Sequence, residues 1–274
     1  MNKQEWSQIH HHAGLNVDFL HAYYIEHAYP RHTHDYYVIS LIEQGNQSFT
    51  HNRTRHITPP GGIILINPEE VHTGEAADKA GFELRSLYPT ITHMEQATLE
   101  VTGRHQLEPL FNRVRVNDSQ TRNNLLFLHK ALTRGADSLE SESRFIWMLA
   151  QLVKRYAEIS HPEQQIGKEK EAIQRAREYI HENFANGVSL KELAEHVGLS
   201  PYYFLRVFRA EVGMPPYTYL ESIRISHAQK LIECGRSLIE TALEVGFSSQ
   251  SHFTNSFKKI IGVTPGQYAR QMST

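Results

Sequence analysis

Two groups of side chains in this 274-residue sequence have the types and spacing to do chemistry. One lies near the C-terminus. Tyr202, Leu205 and Arg206 share one face at helical spacing, and Gln250, Ser251, Thr254 and Asn255 do the same about 48 residues later. Arginine can bond both guanine acceptors in a major groove, and Asn or Gln can bridge N6 and N7 of adenine. Ser200, Arg209, Ser249, Lys258 and Lys259 flank these sets and suit phosphate contacts, which fix register without reading sequence. The other group is N-terminal. It comprises His32-Thr-His34 and His72, with Arg31, Tyr36, Glu70 and Arg85 as further polar candidates around a ligand pocket. Three histidines so spaced could hold a divalent metal, or simply line a concave site.

These sets need elements to position them. Between Val17 and Pro89 the sequence alternates strand and turn. Tyr36–Ile42 and Ile63–Ile66 are β-branched and aromatic runs, broken by Gln44-Gly45-Asn46, Pro59-Pro-Gly-Gly62 and Asn67-Pro68. This spacing predicts a small barrel or sandwich. After Pro89 the period lengthens to that of a helix. Leu125, Phe127, Leu128, Ala131 and Leu132 form one apolar stripe, and Phe145, Met148, Leu149, Leu152 and Tyr156 form another, predicting paired helices over about 119–159. The polar stretch 161–167 reads as a linker, dividing a domain at 1–160 from one at 168–274. His10-His11-His12 reads as a mobile polar start.

Composition agrees with two globular domains. The chain is 40% hydrophobic and 21% charged, with one cysteine, Cys234, which excludes an internal disulfide framework. It has no apolar run of membrane-spanning length and no secretory h-region at its start, so a cytoplasmic protein without membrane contact is expected. Residues 1–167 carry 15 Lys/Arg against 19 Asp/Glu, and 168–274 carry 13 against 11. Twelve of the 18 histidines precede residue 110. The basic excess suits nucleic acid at the C-terminal end, and the histidine chemistry belongs to the N-terminal one.

The C-terminal segment repeats itself. Ser189–Ser200 (SLKELAEHVGLS) aligns with Ser237–Ser248 (SLIETALEVGFS), and Phe204, Phe208, Gly213 and Pro216 match Phe253, Phe257, Gly262 and Pro265. Each copy has the logic of a helix-turn-helix. A short helix carries a core stripe, a glycine (Gly198, Gly246) makes the turn, and a serine caps the next helix: Ser200 in the first copy, Ser248 or Ser249 in the second. Phe204, Val207 and Phe208 are expected inward, as are Phe253, Phe257 and Ile260. The helix between the copies, about Tyr217 to Gly235, is long enough to set two recognition helices roughly 34 Å apart, one turn of duplex.

The stretch Ala242-x-x-Val245-Gly246-Phe247-x-Ser249-x-Ser251-x-Phe253-x-x-x-Phe257-Lys258-x-x-x-Gly262-x-x-Pro265-x-x-Tyr268 resembles the tandem helix-turn-helix signature of the AraC/XylS family of bacterial transcription regulators. The resemblance implies base-facing roles for Tyr202, Leu205 and Arg206, and for Gln250, Ser251, Thr254 and Asn255. Asn255 stands where many members have arginine. The N-terminal strands resemble that family's cupin-type sensory barrel with its dimerisation helices. The implied fold is thus α+β in two domains: a cupin-like β-barrel with appended helices, then an all-α domain of two helix-turn-helix units joined by a linker helix. The histidines resemble metal-binding cupin motifs. However, Val38 and Ile39 occupy the glutamate position, Glu70 replaces a glycine, and His72 falls one residue early. No cofactor or metal at His32, His34 and His72 is therefore expected, and a small-molecule effector is.

The expected function is sequence-specific transcription regulation by a homodimer on double-stranded DNA, modulated by the effector and engaging RNA polymerase if it activates. An arginine beside several histidines would suit an anionic or zwitterionic effector. The alternative is a metal-dependent cupin enzyme fused to a DNA-binding domain, which the absent glutamate disfavours. Alkyl-transfer repair is excluded because Cys234 has no cysteine partner.

Overall fold

The computed structural model describes residues 4–103, 109–158 and 169–272, and the expected linker at 161–167 lies outside them. The chain divides into two compact units, Met1–Ala136 with Arg144–Gln164, and Asp137–Ser143 with Gln165–Thr274.

The first unit is two antiparallel sheets. Strands β1 (Trp6–His12), β2 (Val17–Tyr24), β4 (Val38–Gly45), β7 (Ile63–Ile66), β9 (Phe82–Tyr88) and β10 (Arg115–Val116) form one, in the order β1-β2-β9-β4-β7-β10. Strands β3 (Tyr29–His32), β5 (Gln47–His51), β6 (Thr54–Thr58) and β8 (His72–Ala76) form the other, in the order β3-β8-β5-β6. Successive strand residues face opposite sides. Leu20, Ala22, Ile42, Ile64, Ile66, Phe82 and Leu84 accordingly meet Phe49 in the core between the sheets. At ~25 cal/mol per Å² of apolar surface, each buried Leu, Ile or Phe side chain among them contributes roughly 1.5–3 kcal/mol. The sheets do not close into a continuous barrel, and a cupin-like jelly roll describes them. The three consecutive histidines are not a loose start, because β1 carries them in register with β2, as His10↔Phe19, His11↔Asp18 and His12↔Val17.

Three helices accompany the sheets. Helix α1 (Ile91–Thr102), missed by the apolar period, announces itself by a capping box in which Thr90 and His93 bond each other's backbone N–H. Helices α2 (Ser119–Thr133) and α3 (Ser138–Tyr156) are the expected pair. Leu125, Leu128, Ala131 and Leu132 are buried, but Phe127 is 53% exposed. Two residues along a helix is about 200°, so Phe127 lies opposite Leu125.

The second unit is helical: α4 (Lys170–Asn183), α5 (Leu190–Val197), α6 (Pro201–Val212), α7 (Pro216–Glu233), α8 (Leu238–Glu244), α9 (Gln250–Ile261) and α10 (Pro265–Met272). Ser189 and Glu192 close a capping box on α5, Ser200 caps α6 ahead of Pro201 at its first position, and Ser249, rather than Ser248, caps α9. The α8–α9 core gathers Ala242, Val245, Phe247, Phe253, Phe257 and Tyr268 on Ile225, Ala228 and Ile232 of α7. Ile261 joins this core, whereas Ile260 is 41% exposed. Helical spacing alone would allow either on the face of Phe253 and Phe257, so the packing of the last turn of α9 decides between them.

Candidate nucleic-acid interface and ligand cavity

The two helix-turn-helix turns are built alike. Gly198 and Gly246 both take the left-handed conformation, at φ 73° and 84°, which costs glycine nothing. They differ in surroundings. A Cβ on Gly198 would meet nothing within 4 Å, whereas one on Gly246 would stand 2.5 Å from the carbonyl oxygen of Ala185 at the end of α4.

On α9 the expected reading face is open. Gln250, Ser251 and Asn255 are exposed and Thr254 is half-buried, whereas Phe253 and Phe257 are buried. Lys258 and Lys259 lie in the last turn, where cations favour the helix dipole. Lys259 Nζ is 3.7 Å from Glu221 of α7, which also accepts a 2.8 Å bond from Ser256 Oγ and lies 3.5 Å from His252 Nε2. Burial pushes the Glu221 carboxyl up, but the close approach of His252, the bond from Ser256 and the Lys259 charge outweigh it and hold it at about 2. The base of the recognition helix is thus pinned to the linker helix.

Helix α6 departs from expectation. Arg209 is exposed and Arg206 half-buried, but Tyr202 and Leu205, expected outward, are buried at 3% and 4% exposure. The Arg206 guanidinium covers the Tyr202 ring, 5.8 Å from its centroid. Leu205 borders the apolar arc of Phe204 and Phe208 and sinks with it.

Sequence reasoning missed Arg224. It lies mid-way along α7 at 2% exposure. Its guanidinium donates to the carbonyls of Phe184 (2.7 Å) and Asn186 (3.1 Å) just after α4, pairs with Asp137, and sits over the ring of Phe247 in the second turn. One side chain therefore joins the end of α4, the linker helix and the second helix-turn-helix.

In the β unit a cavity of about 120 Å³ opens between the sheets. His32, His34, Tyr36 and His72 line it, as expected, together with Tyr29, Ser40, Gln47, Thr73, Ser86 and Tyr88, which were not anticipated. Three expected members lie elsewhere. Arg31 faces an outer groove with Arg53 and Asn52. Glu70 accepts the N–H of Asn67 at 3.1 Å and lies 3.0 Å from His51 Nε2. Arg85 points to the opposite sheet face, bonding Glu43 Oε2 at 2.6 Å and His129 Nδ1 at 3.1 Å. Its register dictates this, since Leu84 and Ser86 on either side take the cavity face. No charged side chain lines the cavity among the described residues. The grounds for an anionic effector therefore go with Arg31 and Arg85.

Burial favours the neutral forms of Tyr29, Tyr88, His34 and His72 in the cavity. Burial raises the Tyr29 and Tyr88 phenols well above their ordinary range. Burial, with repulsion from neighbouring histidines, lowers His72 to about 4, and burial lowers His34. Each of the three cavity histidines has Nδ1 against a backbone carbonyl: His32 to Pro30 (2.8 Å), His34 to Tyr36 (2.8 Å) and His72 to Glu70 (2.9 Å). A carbonyl only accepts, so Nδ1 carries the proton and Nε2 the lone pair.

The cavity wall touches α2. His129 of α2, 1% exposed, donates Nε2–H to the carbonyl of Leu20 (3.0 Å) and accepts from Arg85, while the Leu20 side chain lines the cavity. Burial, and then the Arg85 charge, lowers His129 to about 3.

Comparison with known proteins supports both halves of this description. A family model described as the AraC-like ligand binding domain matches residues 14–149, and one described as a helix-turn-helix domain matches residues 193–271. The uncharacterized HTH-type transcriptional regulator YbfI of Bacillus subtilis is 32% identical over 224 residues, covering 82% of this chain and 81% of that protein. The Msm operon regulatory protein of Streptococcus mutans is 24% identical over 243 residues, covering 87% and 85%. Among solved structures, the C-terminal domain of AraT, a response regulator from Geobacillus stearothermophilus, is 32% identical, covering 39% of this chain and 88% of that one with a TM-score of 0.36. With the two family models matched in order, and a relative of this identity spanning most of both chains, the chain belongs to the AraC family of HTH-type transcriptional regulators, a DNA-binding regulator with a ligand-binding domain.

Proposed function

We propose that the two helix-turn-helix units read adjacent major-groove segments of one duplex, and that a small molecule between the sheets sets how well they do so. The observation that carries the first part is α9: four polar side chains on one face of a helix capped by Ser249, with lysines at its far end. Gln250, Ser251, Thr254 and Asn255 contact base edges, and Lys258 contacts phosphate. In the first unit Arg206 carries base reading and Arg209 phosphate contact. Tyr202 and Leu205 act there only as far as their buried positions become accessible. The protein regulates rather than catalyses, and it works in the cytoplasm where its DNA is.

The effector is a small uncharged molecule that exchanges hydrogen bonds with phenols, hydroxyls and neutral imidazoles. Its signal leaves through β2 and β9, whose residues alternate between the cavity and α2 by way of Leu20, Arg85 and His129. A ligand that favours one arrangement of this wall by ~1–3 kcal/mol shifts affinity for DNA by about 5- to 150-fold. Dimerisation through α2 and α3, for which the exposed Phe127 is the available apolar side chain on α2, places two chains on repeated sites. RNA polymerase is the further partner if the outcome is activation. In vitro selection from random duplex with the full chain tests this reading. Enrichment of a motif with two segments one helical turn apart supports it, and no enrichment at moderate salt would refute it.

A further inference from the structure

We propose that His32, His34 and His72 form a three-histidine site for one divalent transition-metal ion at the cavity. Each residue offers one nitrogen, and the three lie within 4.8 Å of one another. The ring centroids are 4.4 Å apart for His32–His72 and 4.9 Å for His34–His72. An ion held at about 2.0–2.1 Å by imidazole nitrogens needs them roughly 3.3 Å apart, a closure that small side-chain rotations supply.

Two further features fit an ion. The Nδ1–H of every ring is held by a backbone carbonyl, which fixes the tautomer and orientation in which a histidine ligates through Nε2. His34 Nε2 is buried without a hydrogen-bond partner, an arrangement that costs free energy unless something binds there. Neutral imidazole selects zinc, copper, iron or nickel over calcium or magnesium. The glutamate that the sequence lacks leaves an open coordination position, as in sites with three protein ligands. The cavity supplies the space where an effector oxygen could complete it.

The full chain, stripped with chelator, is titrated with Co²⁺ while its visible d–d bands are recorded, and Zn²⁺ is then added to displace it. One Co²⁺ per chain is expected, with the band intensity of a four- or five-coordinate site. The replacement of His10, His11 and His12 by alanine, which removes the competing exposed run on β1, should leave this binding intact. His34→Gln and His72→Gln should each weaken it by more than the 10- to 100-fold typical of losing an outer partner. Glu83→Gln, in the other candidate cluster of His21, Glu43 and Glu83, should not change it. X-ray absorption at the zinc edge of the unmutated chain reports the ligands without any variant, and scattering from three imidazoles is expected. Failure to bind Co²⁺, loss of binding with the β1 histidines or with Glu83, or fewer than three imidazoles at the zinc edge would each overturn the proposal. None of these readouts involves DNA, so their failure leaves the regulatory reading standing.

Discussion

Replacing Arg224 with methionine should loosen the helical unit at its junction. Methionine keeps most of the apolar stem but deletes a charge buried to 2% exposure with three partners. Removing one member of a buried charge pair typically costs 3–5 kcal/mol. The structure argues for the lower end. Asn186 is exposed and its carbonyl regains water, and the Asp137 side chain is already 24% exposed. The Phe184 carbonyl bears most of the loss, at about 1–3 kcal/mol for an unsatisfied group. A total of about 3 kcal/mol follows, large against the 5–15 kcal/mol of a whole domain. Hydrogen exchange of the full chain reads this locally. At 1.4 kcal/mol per decade, amides of α7 and α8 should exchange on the order of 100-fold faster. Arg224→Lys, which keeps the charge but not the planar fork, should fall between. An acceleration of less than about fivefold in Arg224→Met would show that the junction does not rest on this side chain.

Other expectations follow from the same geometry. Gly246→Ala combines a left-handed backbone with a 2.5 Å clash against Ala185, so it should destabilise by about 2–5 kcal/mol in thermal or urea unfolding. Gly198→Ala, with open space, should lose only about 1–2 kcal/mol, and equal losses would contradict the packing difference. Asn255→Ala should cost roughly 1–3 kcal/mol at one base position, whereas Lys258→Ala should weaken all sequences alike and reduce the salt slope by about one. Competition binding over a salt series separates them. His129 is neutral when folded, with a pKa of about 3 against 6.5 for the ordinary group. The unfolded chain therefore binds the extra proton between these values, and stability falls as pH drops through that window. Urea unfolding at pH 7 and 4.5 should differ by about 2–3 kcal/mol from this group, and His129→Gln should remove that part of the slope.

What could be read from sequence was local. Ser189, Ser200, Gly198 and Gly246 cap and turn helices through their own backbone chemistry, so the tandem units were visible without a structure. Leu125 and Leu128, or Phe253 and Phe257, declared their faces by spacing alone. The same rule, applied strictly, would have placed Phe127 outside and turned Arg85 away from Ser86, whereas the exposure of Ile260 lay beyond it. What stayed hidden was long-range pairing. Nothing near Arg224 in sequence announces the Phe184 carbonyl 40 residues earlier, and nothing near His32 fixes its distance from His72. The cavity's Ser40, Gln47 and Tyr88 came from strands whose register only the folded sheets define. The burial of Tyr202 and Leu205 was likewise outside what helical period reveals.

The central claim is that two recognition helices engage one face of a duplex. Methylation interference on a selected duplex, with the full chain, tests it most directly, because a modified guanine or adenine blocks binding only where a side chain enters the groove. Two interfering clusters centred about 10–10.5 base pairs apart are predicted for each chain. Within the cluster assigned to α9, interference at the base read by Asn255 should be lost in Asn255→Ala, and the other cluster should persist unchanged. A single cluster per chain, or two that are both unaltered by that substitution, would contradict the account.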